Sequence, residues 1–144
     1  YSNTNIIEKT TADGNSVILA GSHIANWEWG VSTIGSPFNA NVYGVYKPVK
    51  NNYISTYIDN KRKRSGMLLC PISETRNVFR DHHSDGSIFL MLGDQNPSNK
   101  ERAHYIEFLN NTTSCLHGIG YYAKKYNVTI FHVINGSPNY IVRP

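Results

Sequence analysis

The chain reads as an α/β domain with a largely parallel sheet flanked by helices, and three observations predict it. Val17–Gly21 (VILAG) and residues 87–92 (SIFLML) are unbroken apolar runs of strand length, as strands covered on both faces require. Segments of helical spacing alternate with such runs along the chain. Finally, Ser22-His23 and Gly93-Asp94 stand directly after two of these runs. Open parallel sheets bind their ligands beyond the carboxyl ends of the strands.

Each element has its own signal. After the first strand, Asn26 is placed to cap a short helix that starts at Trp27 and fades before Gly35-Ser36-Pro37. Residues 41–46 alternate as a second strand, closed by Pro48. Residues 51–63 carry Tyr53, Ile54, Tyr57 and Ile58 at helical spacing and finish in the basic run Lys61-Arg62-Lys63-Arg64. A third strand spans 67–70 and stops at Pro71. A short helix is expected over 74–83, then the strand at 87–92 and a polar loop at 97–102. Residues 114–127 read as one helix, with Leu116, Ile119, Tyr122 and Ala123 on one side. A fifth strand follows at 128–134. The turn Asn135-Gly136-Ser137-Pro138 leads into 140–142, a pairing expected to be antiparallel.

Composition bounds the function. With 144 residues, 40% apolar and 17% charged, the chain has enough apolar side chains for one folded domain and is too apolar for a disordered tail. The formal charge of +4 and a pI near 9.1 suit an anionic partner without choosing among lipid, acidic protein and nucleic acid. No nucleic-acid-binding motif accompanies the basic run. Cys70 and Cys115 show no CxxC spacing and read as two free thiols of a reducing compartment. His82 and His83 lie beside Asp81 and Asp85 but at no trusted ligand spacing, so no metal is expected. His104, His117 and His132 read as structural, and Trp27 and Trp29 as core residues first. No run is long and apolar enough to span a bilayer. The chain begins with Tyr1, which suggests one catalytic core, residues 1–144, of a longer membrane-anchored protein.

Gly21-Ser22-His23-Ile24-Ala25-Asn26-Trp27-Glu28 carries the chemistry. With His23 at a strand end and Glu28 in the first turn of the next helix, the two are expected to face each other. A carboxylate on one imidazole nitrogen fixes the tautomer and leaves the other nitrogen as a general base. Such a pair suits deprotonation of a hydroxyl that attacks a thioester carbonyl. On spacing alone, a structural hydrogen-bonded pair is the commoner explanation for a His and a Glu.

The surroundings favour chemistry. GSHIANWEWG resembles the His-x4-acid motif of the lysophospholipid acyltransferase superfamily, and its Asn-Trp-Glu resembles more narrowly that of the bacterial lipid A late acyltransferases. VYGVYKPVKNNYISTYIDNKRKRSG is similar to the family's Tyr-Arg-Pro segment and its helix ending in Arg-x-Arg. SIFLMLGDQNP is similar to its strand ending in Asp-Gln or Asp-His, and residues 107–134 to its Phe-Phe…Ala-Ala-Thr helix and strand. The resemblance covers nearly the whole chain in order. It implies a glycerolipid-acyltransferase-like fold, with His23 as base, Glu28 as its partner, and Asn26, Lys47, Arg62, Arg64, Asp94 and Gln95 as substrate-binding residues. It further implies acyl transfer from an acyl carrier protein to a hydroxyl of a lipid A precursor at the cytoplasmic face of the bacterial inner membrane. Neither cofactor nor metal is implied, and neither is a nucleic-acid partner. Departures concern acceptor and acyl-chain choice: Lys47 stands for the usual Arg before Pro48, Asn96 for a second acid, and Asn110-Asn111-Thr112-Thr113 for Pro-Ala-Ala.

Three other functions remain compatible with these residues. One is acyl transfer to a glycerolipid or aminolipid. Another is hydrolysis, with His23 and Glu28 activating water. The last is a non-catalytic module that binds lipid or carrier.

Overall fold

The computed structural model describes residues 4–133, and of Arg102 the backbone only. Its main body is a five-stranded sheet, with β1 (Val17–Gly21), β2 (Val42–Tyr46), β3 (Leu68–Pro71), β4 (Ile88–Leu92) and β7 (Thr129–His132) in the order β3-β2-β4-β1-β7. Every pairing is parallel. The antiparallel partner expected at 140–142 lies outside the described residues.

Alternation within the central strands sorts the core into two layers. Val17, Leu19, Ile88 and Leu90 face one side, where Val31 and Ile34 pack from α2 (Trp27–Thr33) and Ile7 from α1 (Thr4–Ala12). Ile18, Phe89 and Met91 face the other. There they meet Val78 and Phe79 of α4 (Thr75–His82) and Ile119, Tyr122 and Ala123 of α5 (Gly118–Tyr126). Helices on both faces explain why β1 and β4 are apolar without a break. Phe79 is the centre of the second layer. Its ring stacks 3.9 Å from Phe89 and 4.3 Å from Tyr122.

The helix α3 (Asn52–Lys63) links β2 to β3. Asn51 caps it, its side-chain oxygen accepting from the amides of Tyr53 (3.0 Å) and Ile54 (3.2 Å). The cap expected at Asn26 takes another form. Asn26 precedes α2, but its side chain makes no capping bond, and its backbone carbonyl accepts from Trp29 at 3.0 Å.

Two regions differ from the sequence expectation. Residues 4–12 form α1, whose only inward apolar contact is Ile7, too little to raise a periodic signal. The helix expected from residue 114 starts at Gly118. Before it, β5 (His104–Phe108) and β6 (Asn111–Cys115) form a separate antiparallel hairpin. Its two-residue turn, Leu109-Asn110, holds both residues at positive φ (51° and 60°), the backbone of a type I′ turn.

Cys70 is buried against Thr75, and Cys115 is partly exposed. Burial pushes the Cys70 thiol above its ordinary range, against a smaller opposing effect of the Thr75 hydrogen bond. A thiol reagent such as DTNB is therefore expected to modify Cys115 in the native chain and both cysteines only after unfolding. Rapid native modification of two thiols would contradict this packing.

Candidate active site

The sheet register builds the site. Parallel pairing sets Gly21 opposite Leu92, and one step further the Gly93 amide donates to the Gly21 carbonyl at 3.1 Å. One more step sets His23 opposite Asp94. The His23 backbone amide donates to Asp94 Oδ2 at 2.8 Å, and the ring nitrogen Nδ1 lies 2.7 Å from Asp94 Oδ1. Asp94 is thus bonded twice to one residue, 71 positions away in sequence.

The carboxyl of Asp94 is the acceptor. Partial burial works against its charge, but the hydrogen bonds from the His23 ring and amide outweigh burial and hold it below the ordinary carboxylate range. An ionised Asp94 accepts only, so Nδ1 is the donor in this contact, and in the neutral imidazole that tautomer leaves the lone pair on Nε2. The Trp27 indole packs edge-on against the imidazole, centroids 4.6 Å apart. Between them, Ala25 sits at φ 53°. A left-handed alanine costs about 1 kcal/mol, so the loop that turns His23 toward the cavity is held there by its surroundings.

Glu28 has a different partner from the one expected. Arg62 grips it with two nitrogens, Nη2 to Oε1 at 2.6 Å and Nε to Oε2 at 3.4 Å. The His23–Glu28 pairing expected from spacing is therefore corrected: Asp94 occupies the ring nitrogen, and Glu28 joins α2 to α3. Strand register brings residue 94 to residue 23, whereas Glu28, in the first turn of α2, is turned toward the helix packed beside it. The Arg62 side chain is 14% exposed and the Glu28 side chain 45%. The cation thus sits deeper than the anion.

A cavity of about 810 Å³ opens beyond the strand ends. His23, Lys47, Arg62 and Gln95 line it. Asn26 and Arg64 do not belong to its lining, and both are exposed. Sequence reasoning missed Arg76, Tyr122 and His117, which also line the space. Trp27 lines it as well, while Trp29 is exposed rather than in the core. Helical spacing marked Tyr122 as apolar-facing but could not say that its face meets a cavity. Arg76 carried no signal beyond its charge.

Apolar side chains such as Met67, Leu90, Leu92 and Ile119 form much of the wall. Gly44 makes room for one of them: a Cβ there would lie 2.6 Å from the Met67 sulfur. The cavity thus combines an oriented imidazole, cations and an apolar wall, which suits a ligand with both charged and apolar parts. Among the described residues, no group of three or more His, Cys, Asp or Glu converges as a metal site. His82 instead meets Asp85 at 2.7 Å.

That second histidine–aspartate contact has a pH consequence. Burial opposes the Asp85 charge, but hydrogen bonds from Ser87 and His82 prevail and lower its pKa from 3.8. A carboxyl lowered by folding adds stability above the unfolded value and loses it as pH falls through the folded value. Asp94 follows the same sign. Stability is expected to drop below about pH 4, and Asp85→Asn to flatten that drop in melts recorded against pH. An unchanged profile in the variant would refute this role of Asp85.

No helix among the described residues is long and apolar enough to cross a membrane. The curated proteins contain no match to the chain. Residues 1–136 match the family model of the bacterial lipid A biosynthesis acyltransferases, and the chain belongs to that family.

Proposed function

We propose that the chain transfers a fatty acyl group from an acyl-carrier-protein thioester to a hydroxyl of a lipid A precursor, at the cytoplasmic face of the inner membrane. The observation that carries this reading is the His23 imidazole, bonded through Nδ1 to Asp94 and lining the cavity. Family membership supplies the acyltransferase class.

In this mechanism Nε2 of His23 takes the proton of the acceptor hydroxyl as its oxygen attacks the thioester carbon. Asp94 stabilises the imidazolium that results. The tetrahedral oxyanion collapses, the carbon–sulfur bond breaks, and the carrier thiolate leaves with the proton returned from His23. Lys47 and Arg62 give the cavity the sign that the oxyanion and an anionic acceptor need. Glu28 keeps Arg62 in place rather than assisting the base directly. No step requires a cofactor.

The direct test incubates the chain with an acyl-carrier thioester and a lipid A precursor and reads the product by mass spectrometry. A product heavier by one acyl group supports the reading. Free fatty acid released at the same rate with or without acceptor would replace transfer by hydrolysis. Acylation of a glycerolipid or aminolipid, with the lipid A precursor left untouched, would change the acceptor class.

A further inference from the structure

Helix α3 has the wrong side out for a helix packed on a globular core. None of its residues is buried. Its inner side, Ser55, Ile58, Asp59 and Arg62, is only half-buried: Arg62 bonds Glu28, and Asp59 accepts from the Tyr46 hydroxyl and from Ser55 of the same helix, both at 3.4 Å. The opposite arc, at i, i+4 spacing, carries Tyr53, Tyr57 and Lys61, with Ile54 beside them. Tyr53 is 91% exposed, Tyr57 65% and Ile54 50%. Such an apolar stripe gains nothing from water and signals a surface meant to be covered.

The charges on this segment identify what covers it. Residues 47–64 hold six cations (Lys47, Lys50, Lys61, Arg62, Lys63, Arg64) and one acid, Asp59, which is turned inward. The Lys61 ammonium lies 5.3 Å from the Tyr57 ring centroid, over its face. Tyrosines and an isoleucine at headgroup depth, with lysines reaching past them to anionic groups, form the pattern of an interfacial helix. The same surface reaches the site: Lys47 lines the cavity, and so does Ile72, which is 62% exposed.

We infer that the outer face of α3 is the surface by which the chain docks on an anionic lipid bilayer. Tyr53, Ile54 and Tyr57 enter the headgroup layer while Lys50, Lys61 and Lys63 meet lipid phosphates. The docking brings the cavity mouth to the membrane surface, so an acceptor lipid enters without crossing water. This deepens the acyl-transfer reading by naming the face that meets the membrane, yet binding can be read without turnover.

The test is flotation of the whole chain with vesicles of phosphatidylcholine, alone or with phosphatidylglycerol. Three forms are compared: wild type, Tyr53→Ser/Tyr57→Ser and Lys50→Glu/Lys61→Glu. All four positions are exposed, and thermal melts check that each form folds. Wild type is expected to float with the anionic vesicles and weakly with the neutral ones. Each cation lost near an anionic surface weakens binding roughly fivefold, and reversal weakens it more. The charge variant should therefore bind at least about tenfold less, and the tyrosine variant, without its interfacial rings, less than wild type. Acyl transfer to detergent-dispersed acceptor should stay unchanged in the tyrosine variant. Equal flotation of all three forms, wild-type binding indifferent to lipid charge, or no wild-type binding would overturn the inference. Loss of carrier-protein binding in these variants, with vesicle binding intact, would overturn it too and assign the face to the carrier. Loss of vesicle binding in a chain that shows no turnover would uphold the docking face and count against the transferase reading alone.

Discussion

Replacing His23 with alanine is expected to slow acyl transfer by two or more orders of magnitude while leaving the fold intact, because the side chain lines the cavity and belongs to neither core layer. The more informative comparison is between the two carboxylates. In Asp94→Asn the amide can donate toward Nδ1, which moves the ring proton to Nε2 and removes the lone pair that the base needs. The loss should then match that of His23→Ala. Glu28→Gln leaves the imidazole and its Asp94 partner untouched and weakens only the grip on Arg62. It should cost markedly less and show mainly in KM, as expected if Arg62 positions substrate. Initial rates of the four proteins decide the matter. A Glu28→Gln defect as deep as that of His23→Ala, with Asp94→Asn mild, would return the imidazole to Glu28. Full activity in His23→Ala would remove the base altogether.

The largest effect on stability is expected at Phe79. Its ring is fully buried and stacks on both Phe89 and Tyr122, so it joins the sheet, α4 and α5. Truncation to alanine removes the transfer free energy of the ring and leaves a void between stacked partners. Phe→Ala changes of this kind cost about 3–5 kcal/mol. That is a large share of the roughly 5–15 kcal/mol that holds a domain together. Urea unfolding should show a lower midpoint with the slope retained, and the melting temperature should fall on the order of 10 °C. A loss under about 1 kcal/mol would mean that the second core layer repacks around the gap. A steeper or shallower slope would mean that the unfolded state had changed as well.

What the sequence made legible depended on burial. β1 and β4 lie between helical layers, so every side chain in them had to be apolar, and an unbroken apolar run is hard to misread. The hairpin of β5 and β6 obeys no such constraint. Among the described residues its strands pair only with each other, and Tyr105, Ile106, Phe108 and Leu109 are exposed. Alternation therefore recorded no inside or outside, and residues 114–117 read as part of a helix that begins at Gly118. The positive φ of Leu109 was hidden as well, since leucine seldom marks such a turn.

Near the strand ends, the clustering of polar residues was legible and their partnership was not. His23, Lys47, Arg62, Asp94 and Gln95 follow strand ends or sit on the adjoining helix, as punctuation suggested. Which carboxylate meets the imidazole depends on the stagger of β1 against β4, and no local pattern encodes a stagger between strands so far apart in sequence. Local spacing favoured Glu28, five residues away, over Asp94, 71 away, and the sheet reversed that preference.

The stagger of β1 against β4 also fixes when the site can exist. During synthesis the chain emerges amino end first, at about 5–20 residues per second. For the whole interval between residues 23 and 94 the imidazole is present without its partner, and no shorter nascent chain can mimic the finished pair. The same logic separates two kinds of proteolytic nick. A cut in the Leu109-Asn110 turn leaves His23 and Asp94 on one fragment, whereas a cut between β2 and β3 places them on different fragments, held together by non-covalent contacts.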